Sequence, residues 1–243
     1  MNIKPLQKPK RPYFSSGPCS KRPGWNSGLL SNAIIGRSHR SKLALKKINE
    51  VINLTKELLK IPEDYFLGIV PASDTGAIEM LLWSLLGDRK VEVLAWESFG
   101  SDWVKDVVEQ LKIKDIKITK ANYGKIVDLN AIDFNNDLVF TWNGTTSGVC
   151  VPNGDWISND RVGLTICDAT SAVFSMHLPW EKLDATTFSW QKVLGGEAQH
   201  GVIVINSRVI NRLENFIPDR AIPKIFQISN KGKVNKKLFS GST

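Results

Sequence analysis

The chain has 243 residues, 42% hydrophobic and 23% charged, with 32 Lys and Arg against 24 Asp and Glu and a formal charge of +8. That balance fits a globular protein with one large core and favours anionic partners, either phosphorylated small molecules or nucleic acid. The longest apolar run, MLLWSLL, is too short for a bilayer span, and Cys19, Cys150 and Cys167 have neither metal-ligand nor disulfide spacing, so no membrane, no metal and a reducing, cytoplasmic setting are expected.

Residues 1–32 are rich in Pro, Gly and Ser and read as an irregular segment, and MNIKPLQKPKRP lacks the apolar core of a secretory signal. Residues 33–243 read as one larger domain. From Lys42 to Lys60, Leu45, Ile48, Val51, Ile52, Leu58 and Leu59 share a helical face, and Pro62 stops the helix. YFLGIV (65–70) is a predicted strand and TGAIEMLLWSLL (75–86) a predicted helix. VEVLA (91–95) follows as a strand and DWVKDVVEQLK (102–112) as a helix. The next predicted strands are IKIT (116–119), LVFTW (138–142), VGLTIC (162–167), ATTFS (185–189) and GVIVIN (201–206), before a final helix, RVINRLENF (208–216). Strands alternating with helices predict an α/β fold with a mostly parallel sheet and helices on both faces. The turn before GVIVIN is too short for a crossover helix, so that one strand is predicted to run antiparallel to its predecessor.

Open sheets of this kind bind ligands beyond the carboxyl ends of their strands. After GIV comes PASDTGA, small residues running straight into a helix. Backbone amides there, with the Ser73 and Thr75 hydroxyls, suit a phosphate, although a plain capped helix start looks the same. After VEVLAW come Phe99 and Trp103, candidates to stack on a flat ring or simply to pack in the core. After LVFTW comes NGTTSGV with Thr145, Thr146 and Ser147. After VGLTIC comes Asp168, either a turn residue or a carboxylate that pairs with a protonated ring nitrogen. After ATTFSW come Gln191 and Lys192. In order, the strand ends offer a phosphate cradle, an aromatic face, a hydroxyl, an aspartate and a lysine. Pyridoxal phosphate needs these groups for its phosphate, ring, 3′ oxygen, pyridine nitrogen and aldehyde.

The motifs FSSGP (14–18), SHR (38–40), ASDTGA (72–77), ESFGSDW (97–103), NGTTSG (143–148), CDATSA (167–172) and SWQKVLGGEAQHG (189–201) make the chain resemble the phosphoserine aminotransferases, which are fold-type I pyridoxal-phosphate enzymes. The resemblance implies amino transfer between glutamate and 3-phosphohydroxypyruvate, in serine biosynthesis, by a homodimer. It implies that Lys192 bonds the cofactor aldehyde, Asp168 the pyridine nitrogen and Thr145 the 3′ oxygen. Phe99 would stand at the stacking position, and Asp74, Thr75 and Gln191 would meet the phosphate. Ser16, His39 and Arg40 would face substrate, the last two reaching into the neighbouring subunit's site. The family also has a C-terminal small domain that carries an arginine for the substrate carboxylate. The chain ends at KKLFSGST before any counterpart, so it is expected to be a C-terminally truncated large domain, inactive by itself. Another fold-type I aminotransferase or a desulfurase is the nearby alternative. A basic nucleic-acid-binding domain is the distant one: it accounts for the acid-free residues 1–24 and the run SNKGKVNKK but not for the ordered strand-end residues. No nucleic-acid partner is therefore expected.

Overall fold

The computed structural model describes residue 7 and residues 17–36 and 38–240. Its centre is a seven-stranded sheet in the order β1-β7-β6-β5-β4-β2-β3. The strands are β1 (Phe66–Pro71), β2 (Val91–Ala95), β3 (Ile116–Lys120), β4 (Asp137–Thr141), β5 (Thr165–Asp168), β6 (Ala185–Ser189) and β7 (His200–Ile205). All seven predicted strands are present. β7 pairs antiparallel with both β1 and β6, and every other pairing is parallel, so six strands end at one edge of the sheet.

Among the described residues the α-helices are α1 (Lys42–Leu59), α2 (Ser73–Leu85), α3 (Ser98–Lys105) and α4 (Ser207–Asn215). Helix α1 ends at Lys60 in the left-handed region, two residues before Pro62. Helix α3 begins four residues earlier than its periodicity predicts. Glu97 caps it, with Oε1 accepting from the Gly100 N–H at 2.6 Å, and a π-type turn at Asp106–Gln110 continues it. Period-2 alternation along the strands feeds two separate cores. Val91, Val93 and Ala95 pack with α2, α3 and α4 on one face. Leu94, Trp96, Phe140 and Phe188 pack on the other with Ile52 of α1 and with the coil carrying Leu178 and Trp180. The helices cover both faces, but unequally.

Two buried ion pairs fix the amino ends of the strands. Arg212 of α4 grips Asp137 at the start of β4 through two bonds of 2.7 and 3.0 Å. Asp184, just before β6, accepts from Arg161 Nε and Nη2 at 3.0 and 2.9 Å, from the Thr165 N–H at 2.9 Å and from Asn206 Nδ2 at 2.9 Å. Asp184 thereby ties β5, β6 and the N-cap of α4 to one carboxylate. Burial alone would raise its carboxyl, but Arg161 and the other donors hold it below the usual carboxylate value. A lowered native value stabilises the fold above the unfolded pKa, and that stabilisation fades as pH falls through the native one. Asp184→Ala also strands Arg161 in the interior. It is expected to cost about 3–5 kcal/mol in urea unfolding at pH 7, with the gap to wild type narrowing below about pH 4, near the ordinary carboxylate value.

Candidate active site

The carboxyl-end edge of the sheet carries the site. At β1 the chain turns into α2 through Ala72 and Ser73, both left-handed at φ 66° and 60°. Residues with a Cβ hold such angles at a cost of about 1 kcal/mol or more each. The Ser73 N–H donates to Gln199 O at 3.3 Å. The Ser73 hydroxyl sits in a relay: Gln191 Nε2 donates to it at 3.4 Å, it donates to Ser189 Oγ at 3.2 Å, and Ser189 Oγ donates to His200 O at 2.9 Å. β7 slides beneath this helix start because residue 201 is glycine. A Cβ there would lie 2.1 Å from Ser73 O and 2.7 Å from the Ala77 methyl. The first-turn amides of α2, with Thr75 exposed beside them, lack intrahelical partners and attract anions.

Asp168 closes β5 and is 8% exposed. Its Oδ1 accepts from the Thr170 N–H at 3.0 Å and its Oδ2 from Trp103 Nε1 at 3.3 Å. Burial nevertheless raises its carboxyl above the usual value. The sequence offered Phe99 and Trp103 as aromatic candidates. Phe99 stands on the first turn of α3, 37% exposed, while Trp103, one turn on, is buried against Asp168. Their spacing of four residues puts both on one helix face. Asp74, read as a phosphate contact, is buried beside Asp168; its Oδ1 has no hydrogen-bond partner.

Lys192 lies half-buried in the β6–β7 turn. The turn is fastened by Gly195 N–H to Lys192 O at 3.0 Å and Gly196 N–H to Trp190 O at 2.8 Å. The N-terminal segment clasps it: the Cys19 N–H donates to Gln191 O at 2.8 Å and Lys21 Nζ to Gly195 O at 2.7 Å. Gly17 sits at φ 122°, and a Cβ on it would lie 2.6 Å from Lys192 Nζ and 3.6 Å from Thr145 Cγ2. The lysine amine, Thr145 and the N-terminal segment thus meet at one point. Thr145 Oγ1 donates to Ser171 Oγ at 2.8 Å, and Asn143 Nδ2 donates to the same oxygen at 3.0 Å. Ser171, three residues after Asp168 in CDATSA, was passed over in the sequence because a serine in a polar turn carries no distinctive pattern.

Ser16 falls outside the described residues. His39 and Arg40 are exposed just before α1. His39 lines an apolar groove of about 450 Å³ with Ile48, Pro71, Trp190 and His200, on the β1–β7 side of the Ser73 turn. Thr170 Oγ1, Thr187 Oγ1 and Gln191 Oε1 are buried without partners. Buried polar atoms are seldom left unpaired, and these three stand at the sheet edge that carries Asp168 and Lys192. Among the described residues, no cluster of three or more His, Cys, Asp or Glu side chains has the arrangement to hold a metal ion, and no helix is long and apolar enough to cross a membrane.

No family model matches the chain. The sequence is 56% identical over 241 residues to the phosphoserine aminotransferase of Methanosarcina barkeri and 57% identical to that of Methanosarcina mazei, covering 99% of this chain in each case. The chain spans 65% of the length of each of these relatives. Among solved structures, a phosphoserine aminotransferase from Cytophaga hutchinsonii superposes with a TM-score of 0.70 at 25% identity, over 81% of this chain and 56% of that one. The mostly parallel sheet with one reversed strand is the fold of these fold-type I aminotransferases. In sequence and in fold, the chain is similar to phosphoserine aminotransferases.

Proposed function

We propose that this chain supplies the pyridoxal-phosphate site of a phosphoserine aminotransferase, exchanging an amino group between glutamate and 3-phosphohydroxypyruvate. The observation that carries the reading is a half-buried lysine meeting a threonine at the sheet edge where a buried aspartate ends β5 and a strained turn opens a helix. The residues fit the cofactor: the first turn of α2, with Thr75 exposed beside it, favours an anionic group, and the buried Thr170, Thr187 and Gln191 atoms without partners lie at the same edge. When bound, pyridoxal phosphate supplies an aldehyde for the amino group and an electron sink for the bonds at Cα.

The chain's own residues do the rest. Lys192 would hold the aldehyde carbon, and its amine would serve as the general base for the proton at Cα. Asp168 holds a proton at the ring nitrogen, and Trp103 fixes the orientation of Asp168. Thr145, braced on Ser171, meets the ring's 3′ oxygen. Ser73, Thr75 and Gln191 with the first turn of α2 take the phosphate, and Phe99 covers the ring. His39 and Arg40, with Ser16, receive the anionic substrate, the first two across a homodimer contact. Residues 33–243 are assigned to the cofactor-binding domain, and Cys19 and Lys21 of the preceding segment clasp the lysine turn. A cytoplasmic setting suits such a biosynthetic enzyme.

The test uses the whole protein that contains this chain, incubated with pyridoxal phosphate, glutamate and 3-phosphohydroxypyruvate while 2-oxoglutarate is followed. Turnover is expected, with glyoxylate at least tenfold poorer as acceptor. A preference for glyoxylate would replace the phosphorylated substrate, and failure to bind the cofactor would remove the reading altogether.

A further inference from the structure

Asp74 and Asp168 come from different elements, the first turn of α2 and the end of β5, and both are more than nine-tenths buried. They lie in side-chain contact, yet their surroundings differ. Asp168 has two fixed donors, the Thr170 N–H and Trp103 Nε1. Asp74 Oδ1 has none. The hydroxyls of Thr170 and Thr187 lie close enough to Asp74 to favour its charge, but neither meets hydrogen-bonding geometry. Two buried carboxylates in contact do not both ionise cheaply. A proton on the pair rests on the carboxyl with fewer donors.

We propose that Asp74 is a positioning residue kept as the neutral acid, whose O–H donates to the Asp168 carboxylate and holds it toward the ligand. Burial, then the charge of Asp168, pushes the Asp74 carboxyl well above the usual value. Asp168 is raised by burial too, but Thr170, Asp74 and Trp103 each pull it down. Another titratable group bearing on the pair is Cys167 on β5, whose thiol is pushed well up by burial and then by both aspartates, and so stays neutral. The amino end of α2 favours an anion, but by less than the cost of burying an unpaired carboxylate. A neutral Asp74 also removes an objection to the phosphate site beside it, where a charged carboxylate in the first turn would repel the ligand. The proton assignment is independent of the proposed function; the purpose it serves, keeping Asp168 aimed, rests on that reading.

Infrared spectroscopy of the ligand-free protein at pH 7 tests it. One band from a neutral carboxylic acid, sensitive to deuterium, is expected, and Asp74→Asn should remove it. No such band, or a band that survives Asp74→Asn and disappears in Asp168→Asn, would overturn the assignment. Pyridoxal-phosphate titration then separates the two readings. Asp74→Asn retains an N–H donor toward Asp168 and should bind within about threefold of wild type. Asp74→Leu, of similar size but without a donor, should bind about tenfold or more weakly, the loss expected for one hydrogen bond to a charged group. Equal binding by the Leu variant would refute the positioning role. Should the wild type bind no pyridoxal phosphate while the infrared band behaves as described, the proton assignment stands and the cofactor reading falls.

Discussion

Lys192→Ala is expected to abolish both the visible absorbance that pyridoxal phosphate acquires on the wild-type protein and the adduct that borohydride traps. The lysine is held by its turn and does not hold the turn together. The bonds that fasten it run through backbone, from Gly195 N–H to Lys192 O and from Cys19 N–H to Gln191 O. An alanine keeps those bonds, so stability should change by less than about 0.5 kcal/mol, as at a site free of packing. What goes is the amine that stands near Thr145 and Gly17. Removing it takes away the covalent link and the general base together, and the base alone contributes about 10²–10⁴-fold. In the whole protein, turnover should therefore fall by more than that. Mass spectrometry of the borohydride-reduced wild type should find the modification on the peptide containing SWQKVLGG. A reduced adduct on a different lysine would show that this amine is a loop charge.

Much of this arrangement was legible in the sequence because two simple physical signals are strong here. Apolar periodicity found all seven strands, and the shortness of the Lys192 turn gave the reversal of β7 that brings Pro71 of β1 opposite His200. The order of residues after each strand pointed to Lys192, Asp168 and Thr145 because strand ends in a parallel sheet gather at one edge. What escaped has a common cause. The start of α3 at Ser98 depends on a Glu97 cap whose other carboxylate oxygen accepts from Thr146, far along the chain. Which of Phe99 and Trp103 reaches Asp168 depends on where that helix begins. The burial of Asp74 against Asp168 depends on left-handed residues at the N-cap and first position of α2, a conformation that Ala and Ser do not advertise. Periodicity and turn chemistry report on near neighbours, whereas these features are set by contacts between strand ends brought together only by folding.

Asp168→Asn should leave the fold and some cofactor binding intact and still cripple the chemistry. The side chain is the same size, and its one amide oxygen can still accept from Thr170 N–H or Trp103 Nε1, one of the two bonds that the carboxylate oxygens take. The difference is charge. Asp168 is buried at a cost visible in its raised carboxyl, and its fixed donors keep it able to ionise there. A cationic ring nitrogen beside it would favour the ionised form further, and the pair would hold the proton that makes the ring an electron sink. An amide has no such charge, so the proton is lost from the ring near neutral pH and the sink weakens. Removal of one preorganised electrostatic partner typically costs about 10²–10³-fold in kcat, and the same scale is expected here. The loss should appear in kcat much more than in KM, because the partner acts on the reacting bonds and not on substrate capture. The visible band should also shift toward that of the unprotonated ring and change with pH at a lower midpoint than in wild type. Turnover within about threefold of wild type, with an unshifted band, would leave Asp168 as a turn residue whose burial serves only the fold.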